Sequence, residues 1–394
     1  MNTSARLAKA SLFCTHLVCL ISLFLTCASS DSAEPKSLSP GKREAIERAV
    51  SSFMSANSVP GMGIAVVLEG EPVWSAGFGM ADLEDFAPVT SSTLFRLGSI
   101  SKPITATAIL QLWERGKLDL DAPVQKYCPA FPQKEWPITA RQLLAHLAGI
   151  RHYNSDGKGD IPEDSARHFA SMEESLQIFA ADPLVAKPGT KFNYSTYGYT
   201  LVGCVLEGAA SQKYVDYVRD NVFAPAGMDH TQADDFFAVV RHRTRWYHKD
   251  KSGVVRNAGV LDSSYKVPGG GLISSADDIA RFEAAILADK LVKRATRDLM
   301  WTPQKTTDGK STGYALGWGI SDKLGVLMAA HTGGQQGTST AFAVVPTGSP
   351  GSSCWPTWMG WTLAALPTIS SSSWSTSRPQ LPEWRPVLLT LRRV

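Results

Sequence analysis

The spacing of apolar and polar residues predicts a helix followed by a β-hairpin near the start of the chain. Between residues 41 and 57, apolar side chains recur every three or four positions, which is the spacing of one face of an amphipathic helix. A Pro-Gly pair at positions 60 and 61 ends that pattern. β-rich stretches at 62–68 and 72–77, separated by a Glu-Gly-Glu turn, then predict two paired strands.

Helical spacing dominates the middle of the chain, and strand patterns return after it. One helix is predicted from Ser99 to Arg115. Later strands are predicted at 313–320, 325–330 and 338–345. Strands at both ends with helices between them indicate an α+β fold. In it, an antiparallel sheet flanked by helices is built from both chain ends, and a mainly helical region, roughly 103–290, is inserted.

The first thirty residues have the pattern of an export signal. Arg6 and Lys9 precede an apolar run from Ala10 to Thr26, and small residues at 28–30 offer a cleavage site. The run is at the short end for a bilayer span, which favours cleavage over an uncleaved membrane anchor. We therefore expect an exported protein, periplasmic or extracellular, whose contact with a membrane is limited to that segment.

Composition narrows the functional classes. The 394 residues are 44% hydrophobic with a net charge of +3 and no basic stripe, which argues against a nucleic-acid partner. Outside the predicted signal, the cysteines are Cys128, Cys204 and Cys354, an odd number without framework spacing, so we expect core thiols. No His-Glu-x-x-His pattern occurs, so neither a metal nor another cofactor is expected. The oligomeric state is left open.

Ser99 and Lys102 form the first candidate motif, at the start of the predicted helix. A serine three residues before a lysine lies on the same helix face, and the helix N-terminus offers free N–H groups to the serine. A lysine whose pKa is lowered by desolvation can take the proton of such a nucleophile. Taken alone, however, Ser-x-x-Lys is common by chance and favours a serine that only caps the helix.

Two later segments offer further chemistry. Tyr194 lies just ahead of another helical pattern, and a tyrosine close to a lysine and a helix dipole ionises more easily and can share the role of base. A strand pattern runs into His-Thr-Gly-Gly at 331–334, where glycines let the backbone approach a substrate and offer N–H groups to an oxyanion. Read separately, these segments are a surface tyrosine and a strand-end turn.

In this order, the three motifs resemble those of the serine β-lactamase and penicillin-binding superfamily, with the class C β-lactamases as the most similar branch. Stretches at 113–120, 146–153 and 264–271 resemble the mitochondrial serine β-lactamase-like proteins of animals. The similarity covers residues from about 42 to 346, so the catalytic domain is expected at 31–346.

The resemblance implies a role for each matching residue. Ser99 would form the acyl-enzyme, Lys102 would relay its proton, and Tyr194 would be the general base or acid. The N–H groups of Ser99 and Gly334 would form the oxyanion hole. Further contacts to substrate would come from Thr196, His331, Thr332 and Gly333, with Gly270 and Gly271 as structural support nearby.

Two residues depart from the family's pattern. His331 stands where many members have lysine, and Thr196 where many have asparagine. A histidine binds a carboxylate only when protonated, and a threonine hydroxyl cannot replace an amide. We therefore expect a serine hydrolase acting on peptide, amide or ester bonds of a small-molecule or peptide substrate. Its activity on anionic substrates would fall as the pH rises through the titration of His331.

Two other interpretations stay open: a β-lactamase or D-alanyl-D-alanine carboxypeptidase, and a non-catalytic penicillin-binding or scaffold protein. A second serine motif in the sequence does not add a third interpretation. Gly-x-Ser-x-Gly around Ser311 matches the nucleophile of α/β-hydrolases, but a polar loop precedes it and a strand pattern follows, so we interpret it as a surface turn.

The composition changes abruptly after Pro346. Five of the eleven tryptophans lie in residues 347–394, which contain no aspartate and one glutamate. Residues 351–362 can be back-translated into codons and read again in the frame that starts at the third base of each codon. The residues that this frame permits form an apolar strand that ends in a turn. We hypothesise a frameshift near residues 346–350, which resequencing would test, with a disordered extension as the alternative. The chain would then lack the sheet's closing strand and a C-terminal helix.

Overall fold

A computed structural model describes residues 37–154, 159–161, 165–322 and 327–346, together with the backbone of a strand at 355–360. The helices are α1 (Pro40–Asn57), α2 (Ser101–Glu114), α3 (Ala140–Leu144), α4 (Met172–Leu176), α5 (Thr196–Ala210), α6 (Tyr214–Val218), α7 (Ala224–Ala226), α8 (Val267–Gly270), α9 (Ala276–Leu287) and α10 (Arg294–Met300). The strands are β1 (Gly61–Leu68), β2 (Glu71–Asp82), β3 (Ala87–Pro88), β4 (Phe95–Arg96), β5 (Gln232–Ala233), β6 (Tyr247–Lys249), β7 (Val255–Asn257), β8 (Leu272–Ser274), β9 (Gly319–Ser321), β10 (Met328–Gln335), β11 (Thr338–Val344) and β12 (Trp355–Gly360).

The main sheet confirms the predicted α+β architecture. Its seven strands run in the order β3-β2-β1-β12-β11-β10-β9, and every pair of neighbouring strands in it is antiparallel. Three of the strands come from the start of the chain and four from its end. The intervening chain forms helices and two small sheets, β4-β8-β5 and β6-β7. The sheet is therefore made from both chain ends, as its strand pattern predicted.

Apolar spacing explains how helices cover the sheet. All residues of β1 except Leu68 are buried, because the strand is covered on both faces. Helix α9 packs against β1 and β2 with Ile279, Phe282 and Ile286, whose separation by three or four positions places them on one helix face.

Helix α2 is the centre of the helical region. Every residue from Ser101 to Leu112 is buried, so the helix has no polar face and its few polar side chains need internal partners. The predicted start at Ser99 differs slightly, because residues Gly98–Ile100 form a 3₁₀ turn before the α-helix begins.

The strand β12 differs from the expectation that the chain lacks a closing strand. Residues Trp355–Gly360 pair with β1 on one side and β11 on the other. Without β12, those two strands would leave unpaired backbone groups, and backbone pairing does not require a particular set of side chains. The frameshift itself stays a hypothesis. The predicted signal at 1–30 and the expected C-terminal helix fall outside the described residues.

Within the described part of the chain, no helix is both long and apolar enough to span a bilayer. The predicted N-terminal membrane segment lies outside that part.

The prediction that Cys128 and Cys204 are core thiols is wrong, because they form a disulfide. Cys204 lies on α5, and Cys128 follows a turn at Val124–Lys126. The helix comes close to this loop, since a side chain at Gly208 would meet the carbonyl oxygen of Tyr127 at 1.7 Å. A partner 76 positions away cannot be identified from cysteine spacing.

We expect the disulfide to contribute to stability by restricting the unfolded chain. Replacing both residues, as Cys128→Ala with Cys204→Ala, should lower the free energy of unfolding by about 2–4 kcal/mol, measured by urea denaturation without reductant. Adding dithiothreitol should destabilise the original protein and leave the double variant unchanged. Equal stability of the two proteins under oxidising conditions would contradict the prediction.

Candidate active site

A buried ion pair fixes the strand that leads into the turn carrying Ser99. Arg96 of β4 contacts Asp234 at 2.7 Å, and both side chains are only 2% exposed. The Arg96 guanidinium also lies 4.2 Å from the centre of the Trp246 ring. Breaking such a pair would leave a buried charge without a partner, so the segment leading to the nucleophile is held in one position.

Gly98 allows the sharp entry into the turn. Its φ of +51° is a conformation that favours glycine, and a side chain there would come within 3.0 Å of the Gly334 nitrogen. The Ser99 turn and strand β10 are therefore in direct contact. Ser99 is the partly exposed residue at this contact, with buried neighbours on both sides.

Lys102 lies one helical turn further and is completely buried. Its Nζ donates to Ser99 Oγ at 2.9 Å, to Thr196 Oγ1 at 3.2 Å and to the carbonyl oxygen of Gly269 at 2.6 Å. Burial, reinforced by the positive charge of Lys266, lowers the pKa of Lys102 well below its usual value. This amine can therefore be neutral and accept a proton near neutral pH.

Tyr194 approaches the same oxygen from the other side. Its hydroxyl donates to Ser99 Oγ at 2.7 Å, and the Lys102 Nζ lies 4.8 Å from its ring centre. Burial raises the pKa of Tyr194 above that of a free tyrosine. The prediction that this tyrosine ionises easily is therefore wrong, because the low polarity around it disfavours the phenolate more than the nearby helix favours it.

Two histidines hold the segment that contains Tyr194 and Thr196. His146 Nδ1 accepts the Ser195 N–H at 3.1 Å, and its ring centre lies 4.2 Å from that of Tyr194. His152 Nδ1 accepts the Thr196 N–H at 3.3 Å. Burial, with the charge of Lys102, lowers the pKa of His146 and brings that of His152 to about 3. Both rings are thus neutral acceptors that position the tyrosine.

His331 has a different role from the one predicted. It is 5% exposed, its Nε2 lies 2.9 Å from the Tyr314 hydroxyl, and its Nδ1 lies 2.6 Å from the Thr332 carbonyl oxygen. Burial and the charge of Lys102 lower its pKa to about 3. The prediction that a protonated His331 binds anionic substrates is wrong, since a ring that is neutral and bonded on both sides supplies no positive charge.

Strand β10 brings its glycines against the turn that carries Ser99. A side chain at Gly333 would lie 2.1 Å from the Leu97 carbonyl oxygen and 3.1 Å from the Ser99 nitrogen. Thr332 precedes it as a half-buried strand residue, and the exposed Gly334 follows. The backbone of β10 at Gly333 and Gly334 therefore lies directly against the turn at Gly98 and Ser99.

The structure thus brings Ser99, Lys102, Tyr194 and Thr196 together with the glycine end of β10. Sequence reasoning missed three residues around them: His152, which accepts the Thr196 N–H, Tyr314, the partner of His331, and Gly269, whose carbonyl oxygen accepts a hydrogen bond from Lys102. The 146–153 and 264–271 stretches contain two of these three and stood out by resemblance, which was the available signal.

Comparison with known proteins supports one family. Residues 46–371 match the Beta-lactamase family. A mitochondrial serine β-lactamase-like protein, LACTB of Bos taurus, is 32% identical over 73% of this chain and 68% of its own length. Esterase EstB of Burkholderia gladioli is 29% identical over 69% of this chain and 78% of its own.

Among solved structures, the octameric penicillin-binding protein homologue from Pyrococcus abyssi superposes with a TM-score of 0.70. It is 26% identical, and the match covers 88% of this chain and 77% of that protein. The fold and the family resemblance inferred from the motifs are therefore confirmed.

These relatives correct the expected location. The LACTB proteins of cattle, mouse and human are all named as mitochondrial, which contradicts the prediction of a periplasmic or extracellular protein. The error has a physical origin. The first thirty residues contain Arg6 and Lys9, several serines and no acidic residue, and mitochondrial presequences share this positive, serine-rich and acid-poor composition with export signals.

The three neutral histidines should make the protein sensitive to acid. Because the folded state binds their protons more weakly than the unfolded state, their contribution is complete above pH 6.5 and is lost as the pH falls, towards pH 3 for His152 and His331. Each should add up to about 1.4 kcal/mol per pH unit to the slope of unfolding free energy against pH. Urea denaturation at a series of pH values would measure this. His152→Gln, which keeps an acceptor for Thr196, should flatten the slope, and an unaltered slope would contradict the assignment.

Adjacent glycines offer a matched test of the contact between β10 and the nucleophile turn. Gly333→Ala forces a methyl group against the Leu97 carbonyl oxygen, whereas a side chain at Gly334 meets nothing within 4 Å. We expect Gly333→Ala to lower the free energy of unfolding by about 1–3 kcal/mol and Gly334→Ala to change it by less than about 0.5 kcal/mol. Urea denaturation compares them, and similar losses would show that the contact is not tight.

Proposed function

Because this chain belongs to the β-lactamase family, with which it matches over most of its length, we propose that it is a serine hydrolase. It cleaves peptide, amide or ester bonds through an acyl-enzyme on Ser99. One observation carries the proposal: Lys102 Nζ and Tyr194 OH converge on the same Ser99 oxygen, at 2.9 Å and 2.7 Å. A serine that only caps a helix needs neither neighbour.

In the acylation step, neutral Lys102 takes the hydroxyl proton as Ser99 Oγ bonds to the substrate carbonyl carbon. The carbonyl oxygen becomes an oxyanion and accepts hydrogen bonds from the N–H groups of Ser99 and Gly334. When the bond to the leaving group breaks, Tyr194 gives its proton to the departing nitrogen or oxygen, and the proton held by Lys102 replaces it. The raised pKa of Tyr194 suits this role because it keeps the phenol protonated between turnovers.

Deacylation runs through the same groups in reverse. A water molecule bonds to the acyl carbon and gives up one proton to the basic pair, the ester bond to Ser99 breaks, and the proton returns to Oγ. The product is a carboxylic acid, and no external oxidant or cofactor enters the balance. The backbone carbonyl of Gly269 and the hydroxyl of Thr196 keep the amine of Lys102 directed at Ser99 during both steps.

Ester or peptide cleavage is favoured over lactam hydrolysis by the charge around Ser99. His331 is neutral, so the third motif contributes no cation. EstB, which is 29% identical over 69% of this chain, is named an esterase, which supports the same substrate class. A non-catalytic scaffold would not require an amine without solvent contact at hydrogen-bond distance from a serine, because burying that amine is costly.

A fluorophosphonate probe tests the proposal, since it labels only an activated serine. Ser99→Ala should abolish labelling, and Tyr194→Phe should slow para-nitrophenyl ester hydrolysis by about 10²- to 10⁴-fold. The matched control is Ser311→Ala, because Ser311 lies in the competing Gly-x-Ser-x-Gly pattern and is exposed. This variant should label like the original protein. Labelling that survives Ser99→Ala, or a folded protein that never labels, would refute the hydrolase function.

A further inference from the structure

Gln335 places a polar side chain on the face of β10 that meets the turn carrying Ser99. Because side chains of a strand alternate between its two faces, Gln335 shares a face with Gly333, which borders the Ser99 nitrogen. The glutamine is half-buried, and its Nε2 donates to Ser263 Oγ at 2.8 Å. Ser263 is completely buried, so this hydrogen bond holds one end of the amide inside the protein.

The other end of the amide, Oε1, lies near the residue that precedes Ser99. A side chain at Gly270 would come within 3.8 Å of both the Gln335 Oε1 and the carbonyl carbon of Gly98. Among the described residues, none donates a hydrogen bond to this oxygen, and Oε1 is not fully buried. An amide oxygen has two lone pairs, so Gln335 offers an acceptor beside the turn that the described residues leave unused.

The backbone around Gln335 is held in place. Gln335 is the last residue of β10 and is followed by the turn that leads to β11. In that turn, the carbonyl oxygen of Gln336 accepts from Arg96 Nη1 at 3.3 Å, and a side chain at Gly337 would meet that of Trp246 at 2.8 Å. Because the acceptor is already in position, little conformational freedom is lost when a ligand binds to it.

The position of Gln335 along β10 indicates which part of a substrate it meets. The rings of His331 and Tyr194 have centres 6.3 Å apart, and in the proposed mechanism the leaving group departs beside the Tyr194 hydroxyl. Gln335 lies four residues beyond His331, which is about 13 Å along an extended strand. Gly334, the proposed oxyanion donor, lies between the two. The acyl part of the substrate therefore extends towards Gln335.

We propose that the Gln335 side chain accepts a hydrogen bond from an N–H group on the acyl part of the substrate and so determines specificity. The inference rests on the proposed hydrolase function. An acyl group with an oxygen in place of that nitrogen has no proton to donate, and it would cover Oε1 without replacing the water that Oε1 loses. The preferred substrates are then peptides and esters or amides of N-acylated amino acids, rather than esters of simple fatty acids.

Two para-nitrophenyl esters that differ at one position test this with the full chain. The ester of N-acetylglycine has an N–H group where the ester of acetoxyacetic acid has an oxygen. We expect the original protein to have the higher kcat/KM for the N–H ester, after division by the ratio of the two rates with hydroxylamine in solution. In Gln335→Leu, this corrected ratio should fall about fivefold, whereas Gln335→Glu, which keeps an acceptor, should retain it.

Gln133→Leu is the matched control, because Gln133 is an exposed glutamine and the corrected ratio should stay as in the original protein. An unchanged ratio in folded Gln335→Leu would overturn the role of Gln335. If that variant does not fold, Gln335→Ala takes its place in the same measurement. A corrected ratio of one or below in the original protein contradicts the proposal without any variant. Absence of Ser99-dependent hydrolysis of both esters would instead refute the hydrolase function.

Discussion

The burial of the Lys102 amine is the constraint on which the rest of the site depends. A lysine without solvent contact has to find oxygen acceptors inside the protein, and three of them come from different parts of the chain: Ser99, Thr196 and Gly269. Each acceptor in turn is held by its own element, namely the turn before α2, the start of α5 and the helix α8. Satisfying the hydrogen bonds of one polar group therefore fixes the relative positions of three segments, and the turn that carries Ser99, the proposed nucleophile, is one of them.

The same burial sets the charge state of the neighbouring groups. Low polarity lowers the pKa of lysine and histidine and raises that of tyrosine, so neutral forms are favoured around Ser99. A neutral amine can accept a proton and a neutral phenol can donate one, and acyl transfer needs both a general base and a general acid.

The sequence predicted the sheet from both ends, the nucleophile turn and the residues that meet at it, because these rest on local spacing and on motif order. It failed where the outcome depends on surroundings. Tyr194 was expected to ionise easily and His331 to bind anions when protonated, and only their burial shows that the neutral forms are favoured. The Cys128–Cys204 bond and the partnership of His331 with Tyr314 join segments far apart in the chain, which no local pattern reports. The expectation that the chain lacks the closing strand of the sheet was wrong. Residues Trp355–Gly360 fill the place between β1 and β11, because strand pairing uses backbone groups and does not require particular side chains.

The placement of β10 near the end of the sequence has a consequence for synthesis. Ser99, Lys102 and Tyr194 all leave the ribosome well before Gly334, which borders the nucleophile turn. A chain synthesised only as far as Tyr194 lacks Gly334 and therefore, in the proposed mechanism, the second backbone donor for the oxyanion. In the mechanism we propose, full hydrolytic competence would therefore arise only once β10 is complete, and the nascent polypeptide would lack it.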